Sequence, residues 1–371
     1  MWAELRETPE VLWGFGLALV LVLLLTPAAG GMARLIGAVD TPERRRIHRL
    51  PIPRLGGLAL FLGILVPSLA FLPIEQEMRG LLLGAAVATM VGALDDARGL
   101  LWWQKLGGMV VAAVIPVAFG IWVDRFTFPF VGIQELPAWI GMPATVLWIV
   151  LLMNMVNFLD GMDGLAAGVR AISGTTFAVI ALSLGKPDAA VVAAIVAGAC
   201  FGFLRHNFYP ARIFMGDSGA LLLGFVLATV AVQGLLKTAA TVALFFPLFV
   251  LAVPILDTTF VVLRRLKHGQ PIYTPDQAHL HHRFLRRGYS QRRATLTMYA
   301  WCITLAAAAL ATRFIPFREG GEWHLWPTLF AGAIGLVAVG FSLFVVYQLE
   351  IVKLANPYRR RRRSEQLKKA S

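Results

Sequence analysis

Cysteine is almost missing from this chain. Only Cys200 and Cys302 occur, both inside apolar runs, which excludes a disulfide framework and any cysteine-built zinc centre. Charge is scarce too: Asp, Glu, Lys and Arg make up 15% of 371 residues, while 58% are hydrophobic. That balance excludes a disordered polypeptide. No Gly-x₄-Gly-Lys-[Ser/Thr] loop is present, which argues against ATP-driven work. Acidic groups number 21 against 34 basic ones, a net charge of +13. In a soluble protein that excess would point to nucleic acid. Here the basic residues cluster in loops between apolar runs, where they report topology instead, and no nucleic-acid partner is expected.

What is present in quantity is apolar sequence. Many segments are hydrophobic all round for about 20 residues, the length a bilayer demands. A large soluble helical protein would keep one polar face per helix. The expected fold is therefore all-α, a polytopic membrane protein with about eleven spans. They lie near 11–31, 55–73, 79–94, 104–123, 138–157, 163–184, 188–205, 217–236, 239–263, 294–313 and 325–349, with the third and seventh the shortest. The first lacks a small-residue cleavage site and reads as a retained span rather than a signal peptide. Residues 1–353 read as one transmembrane catalytic domain, with no internal repeat and no separate soluble unit. Residues 354–371 form a polybasic tail containing Arg359 to Arg363, Lys368 and Lys369. Such a tail rests on anionic lipid at about 1 kcal/mol per basic residue.

Loop charge sets the orientation. With the N-terminus outside and the C-terminus cytoplasmic, the inner loops collect most of the basic residues. Only Arg6, Arg79, Arg125, Lys186, Lys237, Arg313 and Arg318 fall outside, and Arg170 falls within a span. The same assignment puts every polar motif on one side, in loops 39–54, 95–103, 158–163, 206–217 and 264–293. A transporter builds its site at the bilayer midplane. A site at one face suits an enzyme that takes a soluble substrate from the cytoplasm.

The central motif is Asn154-Met-Val-Asn157-Phe-Leu-Asp160-Gly-Met-Asp163-Gly164. Ionisable groups at the end of a span are costly and mark function by default. On an α-helix each three-residue step rotates the side chain by about 300°, so all four polar groups share a face only if the backbone tightens or unwinds. Gly161 and Gly164 permit that. Asp95-Asp96 ends the third span; adjacent carboxylates repel and call for a cation, either Mg²⁺ or a basic partner. Gly216-Asp217-Ser218-Gly219 opens the eighth span, where Asp217 reads as an N-cap or a metal ligand, with Phe214 offering a ring to a base. His279-Leu-His281-His282-Arg283 lacks zinc spacing but suits anionic oxygens. His48 and Pro51-x-Pro53-Arg54-x-Gly56-Gly57 exceed what topology alone requires. Asp257 lies inside the ninth span, open to either pairing or catalysis. Carboxylates hold Mg²⁺, and Mg²⁺ with arginine holds phosphates. The chemistry that fits is phosphoryl transfer from a nucleotide-linked donor to an acceptor in the bilayer.

These motifs, from Asp40 to Arg287, resemble the bacterial polyprenyl-phosphate N-acetylhexosamine-1-phosphate transferases. The resemblance implies transfer of a sugar-1-phosphate from a UDP-sugar to undecaprenyl phosphate, with release of UMP. It implies Mg²⁺, with Mn²⁺ as a substitute, in the bacterial plasma membrane, and it allows a homodimer. By resemblance, Asp217 and Asp96 would hold the metal, and Asp95, Asp96, Asp160, Asp163 and His279 would be catalytic. His48, Arg54, Asn154, Asn157, Asn207, Phe214, His281, His282 and Arg283 would contact substrates, Phe214 by stacking on uracil with Asn207 nearby. The His-Leu-His-His-Arg form looks like the UDP-N-acetylglucosamine branch, which initiates envelope glycopolymers, rather than the muramoyl-pentapeptide branch. The chain departs from the family pattern at Ala220, where many members have Ser. Two other classes match less of the sequence. A CDP-alcohol phosphotransferase would need a longer Asp-Gly-x-x-Ala-Arg array, and a cation-coupled transporter would use Asp160, Asp163 and Asp257.

Overall fold

The structure, a computed structural model, describes residues 2–40, 51–128, 132–236, 248, 250–267, 269, 280–316, 318–319 and 322–349. A short helix α1 (Trp2–Glu7) precedes α2 (Glu10–Leu35), α3 (Gly56–Phe71), α4 (Gln76–Arg98) and α5 (Trp102–Ala118). The chain continues through α6 (Ala138–Leu159), α7 (Leu165–Ser183), α8 (Pro187–Asn207) and α9 (Gly216–Val230), which runs on as a π turn over Ala231–Leu236. Then come α10 (Ala252–Lys267), the short α11 (Leu280–Arg286), α12 (Gln291–Phe314) and α13 (Leu325–Gln348).

Eight of these helices are long and apolar enough to cross a membrane, and three more apolar helices are shorter: Gly56–Phe71, Trp102–Ala118 and Ala252–Leu263. The all-helical polytopic expectation holds, and ten of the expected spans coincide with one of these helices; of the ninth, 239–263, residues 239–247 and 249 lie outside the described residues and the rest falls largely on α10. The third and seventh spans are longer than expected, with 23 and 21 residues. Their ends carry Gln76, Glu77 and Arg79, Asp95, Asp96 and Arg98, or Asp188, Arg205 and His206, so the apolar run stops before the helix does.

Three small antiparallel hairpins were not expected. They pair β1 (Val39–Asp40) with β2 (Ile52–Pro53), β3 (Arg125–Phe128) with β4 (Gly132–Glu135), and β5 (Arg318–Glu319) with β6 (Glu322–Trp323). All lie between helices, where hydropathy is blind to pairing.

The innermost helices are α7, α8 and α9, buried on nearly every face. Small residues let them be crowded. A Cβ on Gly198 would stand 2.1 Å from Phe15 O, and one on Gly202 2.4 Å from Leu19 O, so α2 and α8 touch backbone to backbone. By contrast α13 packs mainly on α12 and buries only Ala338 and Val345.

Two glycines set the geometry at one end of the bundle. The chain leaves the helix at Asp160 and re-enters at Leu165 through Gly164, at φ 73°. Gly216, at φ 68°, opens α9. Both conformations strain any residue with a side chain. Successive helices alternate in direction, so the ends of α4, α6 and α8 and the starts of α3, α5, α7, α9 and α12 gather at this end.

Candidate active site

Four helix ends supply the central cluster. Asp95 comes from the end of α4, Lys105 from the start of α5, Asn157 from the end of α6 and Asp217 from the start of α9. The Lys105 ammonium donates to Asp95 Oδ2 at 2.9 Å, to Asn157 Oδ1 at 3.3 Å and, closely, to Asp217 Oδ2. Asn157 Nδ2 donates to Asp217 Oδ1 at 2.6 Å, and the Leu100 N–H donates to Asp95 Oδ1 at 2.6 Å. Both oxygens of each carboxylate are thus held. Two carboxylates this close repel, and Lys105 places the compensating charge between them.

Asp96 faces away from that cluster. It accepts from the N–H of Asp217 at 2.9 Å, from the N–H of Ser218 at 3.0 Å and from Ser218 Oγ at 2.9 Å. Met215, at the N-cap of α9, makes no side-chain cap. Asp96 caps that helix from α4 instead, with its charge against the positive end of the α9 dipole. The adjacent carboxylates thus divide the work. Asp95 meets Lys105, and Asp96 anchors the helix that carries Asp217.

The Pro-x-Pro-Arg-x-Gly-Gly segment grips the other side of the same helix start. Phe214 N–H donates to Pro53 O at 2.8 Å, Gly56 N–H to Phe214 O at 3.0 Å, and Gly57 N–H to Met215 O at 2.8 Å. A Cβ on Gly57 would lie 2.1 Å from Gly219 N, and one on Gly92 2.4 Å from Asp217 O, so α3, α4 and α9 meet without side chains between them. Arg54 forms an ion pair with Asp40 at 3.5 Å.

The bend at 160–164 has its own braces. Asn207 Oδ1 accepts from Gly164 N–H at 3.1 Å, and its Nδ2 donates to Ile213 O at 2.9 Å. Asp163 Oδ2 accepts from Ala211 N–H at 2.9 Å. Asn207 and Asp163 are both buried. They tie the bend to the 207–213 loop rather than to the Lys105 cluster. Asn154 sits one turn deeper and donates to Val150 O at 2.9 Å and Met109 Sδ at 3.6 Å. Phe214 is partly buried beside the α9 start. Asp160 lies at the bend itself. Burial, then the nearby Asp217 and Asp96 charges, push its carboxyl up to about 7, against the opposing pull of Arg54 and Arg170.

Arg283 is placed elsewhere. Its guanidinium lies 4.2 Å over the Phe260 ring and donates to Leu349 O at 3.0 Å. His48 and His279 lie outside the described residues, as do the side chains of His281 and His282. Lys105 was missed as a site residue, being counted only as topology charge. Its signal is a single lysine one turn into an apolar helix, ten residues after Asp95. Arg170 was noted only as the basic residue within a span. It is fully buried, and its three side-chain nitrogens meet no hydrogen-bond partner among the described residues.

Among the described residues no group of three His, Cys, Asp or Glu side chains could hold a metal. The oxygens around Lys105 are nonetheless the hard donors Mg²⁺ prefers, and Mg²⁺ needs only one or two carboxylates when phosphates and water complete its shell. A point where a protein ammonium is already held by Asp95, Asp217 and Asn157 is a place built for positive charge. The donor set fits the ion through Asp217 and Asp95, with Asp96 behind them.

Fold and cluster together define an integral membrane protein with a charged site at one end of its helical bundle, suited to phosphate chemistry. Residues 78–235 match the family described as Glycosyl transferase family 4. Over 349 residues the chain is 36% identical to the probable undecaprenyl-phosphate N-acetylglucosaminyl 1-phosphate transferase of Bacillus subtilis (strain 168), covering 93% of this chain and 98% of that protein. It is 33% identical to the decaprenyl-phosphate N-acetylglucosaminephosphotransferase of Mycobacterium leprae (strain TN), covering 85% and 87%. It is 31% identical to the phospho-N-acetylmuramoyl-pentapeptide-transferase of Moorella thermoacetica (strain ATCC 39073 / JCM 9320), covering 81% and 98%. The chain belongs to glycosyl transferase family 4.

Proposed function

We propose that this protein transfers N-acetylglucosamine-1-phosphate from UDP-N-acetylglucosamine to undecaprenyl phosphate, at the cytoplasmic face of a bacterial plasma membrane. The observation that carries the reading is the convergence of Asp95, Lys105, Asn157 and Asp217 from four helices onto one charged point at one end of the helical bundle. The relative named for N-acetylglucosaminyl 1-phosphate transfer in Bacillus subtilis is 36% identical over 93% of this chain, whereas the muramoyl-pentapeptide transferases match at 31% and 33% over 81% and 73% of it, which supports N-acetylglucosamine as the donor sugar.

In the reaction a phosphate oxygen of the lipid attacks the sugar-bearing phosphorus of the donor. The bond from that phosphorus to the bridging oxygen breaks, and UMP leaves with the electron pair. A phosphate monoester has a second pKa near ~6, so the nucleophile is already largely a dianion. A general base, worth about 10²–10⁴ elsewhere, has little proton to remove. The main obstacle is repulsion between the dianion and the pyrophosphate. Lys105 meets it by holding an ammonium where the carboxylates converge, a positive charge beside the incoming phosphates. Asp160 stands at the bend beside Asp217 and Asp96, where burial and those charges push its carboxyl up to about 7. Asp96 and the Pro53-to-Gly57 segment keep α9, and with it Asp217, in place. Mg²⁺ held by Asp217 and Asp95 would supply further charge neutralisation between donor and acceptor phosphates.

The experiment uses membranes bearing the protein, radiolabelled UDP-N-acetylglucosamine and undecaprenyl phosphate. Lipid-extractable label together with UMP is expected. A transporter would give neither. Competition by UDP-N-acetylgalactosamine and by the muramoyl-pentapeptide donor measures sugar choice.

A further inference from the structure

Asp257 lies in α10, is 1% exposed, and has no part in the cluster described above. Its Oδ1 accepts the Leu280 N–H at 2.7 Å, across 23 residues of chain. Leu280 opens α11, whose seven residues include His281, His282 and Arg283. The amide that Asp257 holds belongs to the peptide bond joining His279 to Leu280.

A helix this short has no stability of its own, since isolated helices need about 12–15 residues. Its position is imposed from outside. At its start, Asp257 satisfies one of the unpaired N–H groups and sets a carboxylate against the positive end of the dipole. Along its length, Leu280 and Phe284 are buried in the apolar cluster that also takes Leu159, Met162 and Leu165, the residues interleaved with Asp160 and Asp163. On its outer side, Arg283 lies over Phe260 and reaches Leu349 O. The helix is therefore held in the apolar cluster that also takes the residues around the Asp160 bend, and Asp257 is its polar pin.

We propose that Asp257 is a positioning residue for the transfer reaction: by holding the Leu280 amide it fixes α11, which carries His281 and His282, in the apolar cluster shared with the residues around the Asp160 bend. The proposal rests on the reading of that segment as part of the site. A carboxylate kept at 1% exposure inside a membrane helix, with its oxygen on the first amide of α11, has this geometric role and needs no contact with substrate.

The test compares Asp257→Asn, Asp257→Leu and His279→Ala in the full-length detergent-solubilised protein. It reads kcat and KM for UDP-N-acetylglucosamine, and amide exchange over residues 280–286. Asp257→Asn keeps an oxygen for the Leu280 N–H and is expected to retain kcat within about fivefold, with exchange unchanged. Asp257→Leu is expected to lose kcat by about 10²-fold, the scale of an ångström misplacement, with KM little changed and faster exchange. Full kcat in Asp257→Leu despite faster exchange would overturn the proposal. So would loss of kcat in Asp257→Asn with the amides still protected, since that assigns the carboxylate's charge a direct role. Should Asp257→Leu not fold, the Asn variant decides alone by the same two readouts. Undiminished kcat in His279→Ala would instead sink the reading of the histidine segment, whatever the Asp257 variants do.

Discussion

At the scale of single residues, Lys105 is the charge on which the cluster closes. Replacing it with Met leaves Asp95 and Asp217 facing each other without a cation. We expect Lys105→Met to cut kcat/KM by about 10²-fold or more and to lower the melting temperature. Added Mg²⁺ should raise the melting temperature of this variant more than that of the parent, because the ion fits the same oxygens. Equal Mg²⁺ shifts in both proteins would remove the metal from that point. Asp160 gives a pH signature. Its carboxyl is pushed from 3.8 up to about 7 in the folded state, so the folded protein binds the proton more tightly than the unfolded one. Stability from this group is full below the unfolded value and is lost as pH rises through the window from about 4 to 7. Asp160→Asn removes that term. Its melting temperature should therefore rise relative to the parent across the window, measured by thermal unfolding in detergent at several pH values. Parallel pH profiles for the two proteins would contradict this assignment.

At the scale of elements, α9 depends on neighbours at its start. Asp96→Ala leaves the Asp217 and Ser218 amides without their acceptor, a loss of about 1–3 kcal/mol, while the Ser218 hydroxyl keeps Met215 O. Activity should fall with it, because the same helix start carries Asp217. Thermal unfolding and UMP release check the two effects together, and a stable but inactive variant would move Asp96 from anchoring to chemistry. The helices themselves were legible in the sequence, because a span needs only apolar length and the apolar runs among the described residues are helices. The break between Asn157 and Leu165 was legible as well, from three-residue spacing and two glycines. What escaped was direction. Sequence placed Asp95 and Asp96 in one motif without showing that neighbouring side chains on a helix point about 100° apart, one to Lys105 and one to α9. Asn207 reads in the sequence as a substrate contact and Asp163 as a catalytic group; in the structure their buried polar atoms also tie the 160–164 bend to the 207–213 loop. Lys105 hid because a positive charge at a span end already has an explanation in topology.

At the scale of the whole molecule, every motif in the described residues gathers at one end of the bundle, while the contact of Arg313 with Ser183 marks the other. Basic residues concentrate at the motif end, so we expect it to face the cytoplasm. A fluorescent-protein fusion at the C-terminus should fluoresce, and an alkaline phosphatase fusion there should be inactive; the reverse pattern would invert the topology. The account's central claim is that Lys105 and Asp217 act as one unit in sugar-phosphate transfer. The most direct measurement is a double-mutant cycle, with Lys105→Met, Asp217→Asn and their combination assayed for UMP release from UDP-N-acetylglucosamine and undecaprenyl phosphate. Residues acting as a unit are strongly non-additive, so the double variant should be little worse than the poorer single one. Losses that simply multiply, or a single variant with full activity, would contradict the account.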